Sequence, residues 1–315
     1  MQYKSFGKTG LQVSTLCLGT WGIGGAGWDY NTDETKLDAI KAAKENGINI
    51  FDTAPAYNGG AAELLLGDAL ECMHCRKDVI ISTKCGNEFI DGQYVQSGKR
   101  EKILAECDES LKNLRTDYID LYILHWPQKD ASPEETLSAM MELKKAGKVR
   151  FLGLSNHSIA QIEEAEKYAD IDFIQVQYSM LIREHEEEMK FAKAHGMGVM
   201  GYGILGGGML SGRYRTLKTY ETMDNRNRFY KFFHEPGWSK AQALLAVLDR
   251  VAAERNVPVS EVAVNWTIQK PFVSTALFGT QHRERVIENV NALDWALTDA
   301  DIQKIDAAIN EIFEN

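Results

Sequence analysis

The chain has 315 residues, with 35 Lys and Arg against 45 Asp and Glu, so its formal charge at neutral pH is −10. Its content of 44% hydrophobic and 25% charged residues is typical of a globular protein and excludes an intrinsically disordered one. The acidic balance argues against binding of nucleic acid or of an anionic membrane surface, because both require concentrated Lys and Arg. The length exceeds the usual limit of about 250–300 residues for one hydrophobic core, so it predicts either two domains or one α/β barrel.

The N-terminus and the cysteines bear on where the protein acts. Residues 1–10 are polar and lack the apolar segment of a signal peptide, and no uncharged apolar run reaches the length of about 18 residues that a membrane span needs. With five cysteines and no signal peptide, we expect reduced thiols and a cytoplasmic protein. Cys72 and Cys75 have no further ligands nearby, so we expect no metal site. Cys85 is either an ordinary buried thiol or a position at which oxidation affects activity.

Short apolar segments rich in β-branched residues alternate along the chain with segments of helical periodicity. The apolar segments predict strands at residues 15–18, 48–52, 79–84, 119–125, 149–155, 173–177, 199–202 and 273–278. The segments between them predict helices at residues 33–46, 61–70, 99–114, 132–147, from 158 onward, at 184–195, at about 240–255 and at 283–290. Capping boxes are predicted at Ser132-Pro133-Glu134-Glu135 and at Ser158-Ile159-Ala160-Gln161.

This strict alternation of strands and helices predicts an α/β fold with a parallel sheet. Eight such units without a Pro/Ser-rich linker favour one (β/α)8 TIM barrel, formed as a single domain by residues 1–315. Two further helices are predicted, at residues 261–269 in the connection between the seventh and eighth strands and at residues 299–310 near the C-terminus. The long segment before residue 240 is predicted to be irregular, and long loops often carry function.

Four reactive side chains follow the ends of consecutive predicted strands. Asp52 ends the second strand and is followed by Tyr57, Lys84 ends the third strand, and His125 ends the fourth. In a barrel of this type the active site lies at the carboxyl ends of the strands. Each side chain alone has an ordinary structural explanation, but together they are expected to converge at one rim.

These four side chains suit proton transfer to a carbonyl oxygen. A free tyrosine has a pKa near 10, and an adjacent ammonium such as that of Lys84 favours the phenolate and lowers this pKa. Asp52 is expected to hold Lys84 as its counter-ion, and His125 to orient the substrate oxygen. We therefore expect Tyr57 to protonate the oxygen of a carbonyl group whose carbon accepts hydride.

A glycine pattern after the first predicted strand imitates a dinucleotide-binding fingerprint. Gly22, Gly24 and Gly27 match G-x-G-x-x-G. In a Rossmann fold the helix begins within these glycines, whereas here residues 28–32 precede the predicted helix. We interpret the segment as a flexible loop. A Rossmann-type dehydrogenase is the alternative fold, and it would leave Lys84 and His125 without a role.

Three longer segments contain the reactive side chains. They are Phe51-Asp52-Thr53-Ala54-Pro55-Ala56-Tyr57, Ile81-Ser82-Thr83-Lys84 and Asp117-Tyr118-Ile119-Asp120-Leu121-Tyr122-Ile123-Leu124-His125-Trp126-Pro127. They closely resemble the aldo-keto reductases, and the resemblance continues from residue 16 to residue 289. It implies a (β/α)8 barrel that reduces aldehydes and ketones with NAD(P)H and uses no metal. It also implies that Tyr57 is the general acid, that Lys84 and Asp52 tune it, and that His125 orients the carbonyl.

The same resemblance implies a cofactor groove along the strand ends. Ser155, Asn156 and Gln177 match residues that hold the nicotinamide carboxamide, and Tyr202 matches the aromatic residue that stacks on the nicotinamide ring. Arg285 matches the position that usually meets a 2′-phosphate, so the resemblance favours NADP(H) over NAD(H). The full set implied for the cofactor is Gly19, Thr20, Trp21, Asp52, Ser155, Asn156, Gln177, Tyr202, Gly203, Leu205, Gly207, Leu210, Arg213, Gly279, Thr280, Gln281, Arg285, Glu288 and Asn289.

Two positions depart from the family pattern. Gly203 stands where Ser is common, which puts one pyrophosphate contact in doubt, and Asn58 stands where Gly is common, beside the substrate mouth. Only a short tail follows the last predicted unit, so we expect an open pocket that admits a small carbonyl compound or a sugar. The residues expected to contact the substrate are Trp21, Trp28, Tyr57, His125 and Trp126.

A protein of this fold need not be an enzyme. The non-enzymatic alternative is a regulatory or interaction subunit that binds the cofactor, like the potassium-channel β subunits. The complete set of four reactive side chains favours an enzyme. The sequence predicts neither the physiological substrate nor the oligomeric state.

Overall fold

The computed structural model describes residues 1–90 and 93–313. The strands in this part of the chain are β1 (Tyr3–Ser5), β2 (Gln12–Ser14), β3 (Leu16–Gly19), β4 (Ile50–Asp52), β5 (Ile80–Cys85), β6 (Asn87–Ile90), β7 (Gln93–Gln96), β8 (Ile119–Leu124), β9 (Val149–Ser155), β10 (Phe173–Gln177), β11 (Gly198–Tyr202) and β12 (Thr275–Gly279). Eight of these described strands, β3, β4, β5 and β8 to β12, form a closed parallel barrel in which β12 pairs with β3. The predicted (β/α)8 barrel is therefore confirmed.

The barrel strands are buried on both faces, as strands between a packed interior and a layer of helices must be. In β5, Ile80 belongs to the cluster inside the barrel, whereas Ile81 belongs to the cluster between the barrel and the helices. Because side chains alternate along a strand, Ser82 and Lys84 also point inward and Thr83 points outward. The interior is therefore apolar at one end and polar at the carboxyl ends of the strands.

The hairpin formed by β1 and β2 covers the amino-terminal ends of the barrel strands. Phe6 and Val13 are fully buried and pack in the inner cluster. The ring of Phe6 lies 5.4 Å from the ring of Phe173, at the start of β10. This end is therefore packed with apolar side chains.

The helices follow the strands as the alternation predicts. They are α1 (Trp21–Gly24), α2 (Asp33–Glu45), α3 (Ala61–Cys72), α4 (Arg100–Asn113), α5 (Pro133–Lys145), α6 (Ile159–Ala165), α7 (Glu186–Ala194), α8 (Asn225–Phe229), α9 (Gly237–Arg255), α10 (Val259–Ile268), α11 (Arg283–Asn291) and α12 (Asp299–Phe313). The two predicted extra helices correspond to α10 and α12. No helix in the described residues is long and apolar enough to cross a membrane.

The two predicted capping boxes have different outcomes. At α6 the box is complete, since Ser158 and Gln161 bond each other's backbone N–H groups. At α5 only half of it forms: the Ser132 side chain accepts a hydrogen bond from the N–H of Glu135. The Glu135 carboxylate accepts instead from the N–H of Arg100, at 3.2 Å, because α4 begins beside α5.

The structure departs from the sequence prediction mainly in the connections. The predicted strand bounds differ from the observed ones by two residues at most. Residues 21–24 form the helical turn α1 in the segment for which the sequence predicts a flexible loop, and the hairpin of β6 and β7 was not predicted. Helix α8 lies within the segment predicted to be irregular, and α9 begins at Gly237 rather than near residue 240. These elements surround the open end of the barrel.

Candidate active site

A cavity of about 510 Å³ opens at the carboxyl ends of the barrel strands. Of the predicted site residues, Thr20, Gln177 and Leu210 do not line it, and Lys84 is 1% exposed behind its wall. The predicted residues that do line it are Gly19, Trp21, Trp28, Asp52, Tyr57, His125, Trp126, Ser155, Asn156, Tyr202, Gly203, Leu205, Gly207, Arg213, Gly279, Thr280, Gln281, Arg285, Glu288 and Asn289. The structure thus brings together residues from every part of the chain.

The floor of the cavity contains a buried ion pair that touches the tyrosine. The Nζ atom of Lys84 lies 2.7 Å from Oδ2 of Asp52 and donates hydrogen bonds to the carbonyl of Thr53 and, at 3.1 Å, to the hydroxyl of Tyr57. This arrangement follows from the barrel, because Asp52 and Lys84 lie near the carboxyl ends of neighbouring parallel strands. The ammonium is held on one side by a carboxylate and directed on the other side at the phenol.

The environment of Tyr57 changes one prediction. Burial and the negative charge of Asp52 raise the pKa of Tyr57 well above its usual value. The expectation that Lys84 lowers the pKa of Tyr57 is therefore wrong. The reason is that Asp52 neutralises the ammonium and that the phenol is removed from water. Tyr57 is a protonated phenol at neutral pH, with a donor already aimed at its oxygen.

His125 is the second polar group beside the Tyr57 ring. The two ring centroids are 6.1 Å apart in an edge-to-face arrangement, and the backbone N–H of His125 is held by the carbonyl of Cys85. Burial, and then the charge of Lys84, lower the pKa of His125 well below its usual value. Its Nδ1 atom is buried and has no hydrogen-bond partner among the described residues. His125 is therefore a neutral imidazole that can donate one N–H bond into the cavity.

Aromatic rings, including the predicted tryptophans, pack beside the rings of Tyr57 and His125. Trp21 lies parallel to Tyr57 with ring centroids 6.2 Å apart, and Trp28 meets Trp21 edge to face at 5.1 Å. The ring of Trp126 stacks on His125 at 6.1 Å. Phe229, which sequence reasoning missed, also contacts Trp21, at 5.2 Å. The reacting end of the cavity is therefore a pocket of flat apolar faces with few polar groups.

A second cluster of polar side chains, Ser155, Asn156 and Tyr202, lies at the ends of β9 and β11. Asn156 adopts a left-handed conformation with φ of 62°, and its Nδ2 atom donates to Oγ of Ser155. Its Oδ1 atom accepts a hydrogen bond from the Tyr202 hydroxyl, at 3.0 Å. The three predicted residues thus form one hydrogen-bonded unit in the cavity wall.

The two glutamines of β10 differ in position, and the sequence analysis assigned only one of them. Gln175 lines the cavity and donates a hydrogen bond to Oδ1 of Asp52, at 2.7 Å. Gln177 does not line the cavity, although its buried Nε2 atom has no partner within the described part of the chain. Residues two apart share one face of a strand. The alternation of side chains along the strand therefore cannot distinguish Gln175 from Gln177. Their different depth in the barrel decides which of them reaches the cavity.

The glycine-rich segment after β11 lies along one wall of the cavity. Gly207 has a φ of 61°, and a Cβ atom there would lie only 2.7 Å from the ring of Tyr230, so no side chain fits. Gly203 has a φ of 71°, and a Cβ atom there would lie 3.6 Å from the amide nitrogen of Gln177 and 3.7 Å from the hydroxyl of Tyr230. Tyr230 was not predicted. Its hydroxyl stands next to the position where the family commonly has Ser.

The far end of the cavity is formed by α11. Arg285 forms an ion pair with Glu288 one turn later, and its carbonyl accepts a hydrogen bond from Nδ2 of Asn289, at 2.8 Å. The predicted basic group is therefore present, but a carboxylate partly balances it. Arg213 lines the same cavity and forms no ion pair with any described residue.

An ion pair that sequence reasoning missed bridges the cavity. The guanidinium of Arg226 in α8 bonds both carboxylate oxygens of Asp29, at 2.7 and 3.0 Å, and also bonds Asp224. Asp29 lies in the connection between α1 and α2. Since 197 residues separate Asp29 from Arg226 in the chain, no local pattern could reveal the pair.

Cys72, Cys75 and Cys85 do not line the cavity. Cys85 is fully buried, and burial together with Glu106 raises the pKa of its thiol well above the usual value, which suppresses the reactive thiolate. Cys75 is buried and Cys72 is exposed, both as free thiols. Among residues 1–90 and 93–313, no three His, Cys, Asp or Glu side chains are grouped so that they could hold a metal ion.

Comparison with known proteins agrees with this arrangement. The family model described as Aldo/keto reductase family matches residues 15–310. The chain is 36% identical to the aldo-keto reductase YhdN of Bacillus subtilis, across 100% of this chain and 94% of that protein, and 33% identical to the NADH-specific methylglyoxal reductase of Escherichia coli, across 94% of each. The solved structure of a glycerol dehydrogenase from Gluconobacter oxydans superimposes with a TM-score of 0.89 at 28% identity, covering 99% of this chain and 96% of that chain. The chain belongs to the aldo/keto reductase family.

Proposed function

We propose that the protein is an NADP(H)-dependent oxidoreductase that reduces aldehydes, ketones or sugars to the corresponding alcohols, with Tyr57 as the proton donor. The observation that carries the proposal is the contact of 3.1 Å between Nζ of Lys84 and the hydroxyl of Tyr57, inside a cavity large enough for small ligands. The reverse oxidation of an alcohol or aldose uses the same groups, because each step is reversible.

The side chains divide the work of protonating a carbonyl oxygen. Tyr57 donates its phenolic proton to the oxygen, and Lys84 stabilises the phenolate that forms by its hydrogen bond to the same atom. Asp52 keeps Lys84 charged and in place, at a distance of 2.7 Å. His125, which is neutral, donates an N–H to the substrate oxygen and orients it towards Tyr57.

The residues present fit a nicotinamide dinucleotide. Two predicted cofactor residues that line the cavity have buried polar atoms without hydrogen-bond partners among the described residues: Gln281 Oε1 and Asn289 Oδ1. Such groups are costly to bury unless a ligand or water completes them. When bound, the reduced cofactor supplies hydride to the carbonyl carbon. Ser155, Asn156 and Tyr202 would hold its nicotinamide, the glycine-rich segment and Arg213 its pyrophosphate, and Asn289 its adenine.

The test is NADPH consumption over a panel of aldehydes and ketones, for the wild type and Tyr57→Phe. Loss of the proton donor is expected to lower kcat by about 10²–10⁴-fold. Binding of NADPH, followed by the quenching of tryptophan fluorescence, should stay within a factor of about two. Tyr30→Phe is the matched control, because this tyrosine is 90% exposed and does not line the cavity. A Tyr57→Phe variant as fast as the wild type would refute the mechanism.

The preference for NADP(H) is proposed from Arg285. Its guanidinium lines the far end of the cavity, where a 2′-phosphate gains a charge-assisted hydrogen bond. Arg285→Ala should weaken NADPH binding about tenfold, equivalent to about 1.4 kcal/mol, and NADH binding much less. Glu288→Gln should strengthen NADPH binding, since it removes the carboxylate that pairs with Arg285. Arg283→Ala is the control on the same helix. If Arg285→Ala weakened the binding of NADPH and NADH equally, the assignment of Arg285 to the 2′-phosphate would be contradicted.

The non-enzymatic alternative predicts a different result in the same assay. A regulatory subunit would bind the cofactor tightly but would not oxidise it when carbonyl compounds are added. A phenol bonded by Lys84, with His125 in the same cavity wall, supports turnover instead.

A further inference from the structure

The charged side chains that line the cavity are almost all neutralised by neighbours. Asp52 is paired with Lys84, Arg226 with both Asp29 and Asp224, and Arg285 with Glu288. Within the described residues, the lining arginines without an ion pair are Arg213 and Arg228. Because the chain has a formal charge of −10, an unbalanced cation in a ligand cavity is a local feature that the overall charge does not explain.

Arg213 and Arg228 lie in different parts of the cavity wall. Arg213 follows the glycine-rich segment, whose proposed partner is the cofactor pyrophosphate. Arg228 is exposed and lies in α8, next to Phe229. The ring of Phe229 contacts Trp21 at 5.2 Å, and Trp21 in turn lies parallel to Tyr57 at 6.2 Å. Arg228 is therefore at the mouth of the pocket in which the carbonyl is proposed to react.

The position of Tyr94 also supports the location of Arg228 at this mouth. Tyr94, in the hairpin strand β7, also lines the cavity. The charge of Arg228 acts on the Tyr94 hydroxyl and opposes the rise in the pKa of Tyr94 that burial causes. Arg228 and Tyr94 thus lie in the same cavity wall and are close enough for the charge of one to act on the other.

The other side chains at this entrance carry no charge that could satisfy Arg228. Asn87 and Gln96 are amides, and Trp28 and Trp126 are indoles. Asp29 lines the same cavity and Asp224 precedes α8, but the guanidinium of Arg226 already bonds both of these carboxylates. The entrance therefore combines flat apolar walls with one unpaired cation, which suits a ligand with a short carbon chain and an anionic end.

We propose that Arg228 selects carbonyl substrates that carry a carboxylate or phosphate group a few carbon atoms from the carbonyl. This inference rests on the proposed function, because Tyr57 marks the place where the carbonyl reacts. In the bound substrate, the carbonyl lies against Tyr57 and His125, the carbon chain lies between the aromatic rings, and the anionic end meets the guanidinium. Arg228 binds the substrate equally in the ground state and in the transition state, so it acts mainly on KM.

The test compares substrates that differ only in charge. The carboxylate arm uses 4-oxobutanoate and its methyl ester, and the phosphate arm uses glyceraldehyde 3-phosphate and glyceraldehyde. For the wild type, kcat/KM should be about tenfold higher for the anion in at least one arm, and the arm with the larger ratio identifies the anionic group. Arg228→Gln should remove that preference by raising KM, while Arg228→Lys should retain part of it.

Two controls separate this role from a structural one. Arg250→Gln removes an exposed arginine of α9 that does not line the cavity, and it should keep the wild-type preference. The Kd of NADPH should be the same in Arg228→Gln as in the wild type, and added salt should reduce the wild-type preference but not that of Arg228→Gln.

Each result decides the inference. Equal kcat/KM for anionic and neutral partners in the wild type, or equal losses for both in Arg228→Gln, would overturn it while the proposed reductase function stands. If no carbonyl is reduced at all, the proposed function fails. The binding of 4-hydroxybutanoate or glycerol 3-phosphate, measured by titration calorimetry in the wild type and Arg228→Gln, then decides the inference by itself. Tighter binding by the wild type supports it, and equal binding contradicts it.

Discussion

Strand β5 has a buried polar cluster on each of its two faces, and the clusters balance charge in different ways. On the inner face, Lys84 and Asp52 form an ion pair at 2.7 Å. The second carboxylate oxygen of Asp52 accepts hydrogen bonds from Ser82 and Gln175. Every polar atom of the pair is thus satisfied, and the remaining hydrogen bond of the ammonium reaches Tyr57. Burial lowers the pKa of Lys84, and the charge and hydrogen bond of Asp52 oppose this and favour the ammonium.

On the outer face, carboxyl groups are buried without a cation. Glu63 of α3 accepts hydrogen bonds from Thr83, at 2.7 Å, and from Asn113. Glu106 of α4 accepts one from the N–H of Gly86, at 2.5 Å, and its other oxygen has no partner among the described residues. Burial raises the pKa of Glu63, and it raises that of Glu106 to about 8.

The difference between the two faces distinguishes a reactive site from a structural one. A buried group that only joins two elements can become neutral, and Glu63 and Glu106 join α3 and α4 to the barrel in this way. A buried group that must act as a cation has to be supplied with an anion, as Lys84 is supplied with Asp52. The pairing, more than the burial, therefore marks the inner face as the site of chemistry.

The largest expected effect comes from breaking the inner pair. Lys84→Met should lower kcat about 10²–10³-fold, since Tyr57 loses the donor that stabilises its phenolate. It should also cost about 3–5 kcal/mol of unfolding free energy, because Asp52 is left buried and unpaired. Both are measured on one preparation, by steady-state kinetics and by urea unfolding.

The double variant Asp52→Asn with Lys84→Met tests why the pair is present. It removes both charges, so the unfolding free energy should recover while kcat stays low. Recovery of kcat together with stability would show that the inner pair is structural, and the contrast with the outer face would be lost.

A smaller effect is expected from the outer carboxyl of Glu106. Its pKa is raised from an ordinary value near 4.5 to about 8 in the folded protein, so folding favours the protonated form. Stability from this group is fully present below pH 4.5 and is lost as the pH rises towards 8. Glu106→Gln should remove this pH-dependent contribution to stability. The unfolding free energy of the variant should therefore change less between pH 5 and pH 8 than that of the wild type. Parallel pH profiles for the two proteins would contradict the assignment.

The sequence predicts this site unevenly, for physical reasons. Asp52, Lys84 and His125 are predictable because strand ends are marked by local patterns and parallel strands bring their ends together. The direction of the pKa shift of Tyr57 was predicted wrongly, because burial and the field of Asp52 depend on the folded surroundings. Contacts across long distances in the chain, such as that between Asp29 and Arg226, leave no local pattern at all.

The smallest expected effect comes from Thr83→Val, which tests the outer face of β5 next to the inner residue Lys84. Thr83 and Lys84 are adjacent in β5 but point to opposite faces, so Thr83→Val removes one outer hydrogen bond and leaves the inner pair intact. The variant should cost about 1–3 kcal/mol of unfolding free energy, since Oε1 of Glu63 loses its donor at a buried position. It should not change kcat or the KM for carbonyl substrates. The control is Thr83→Ser, which keeps the hydroxyl and should retain most of the stability. A tenfold fall in kcat at unchanged stability would mean that the outer face of β5 also controls the chemistry, because a purely structural hydrogen bond affects the folded fraction and not the rate of the folded enzyme.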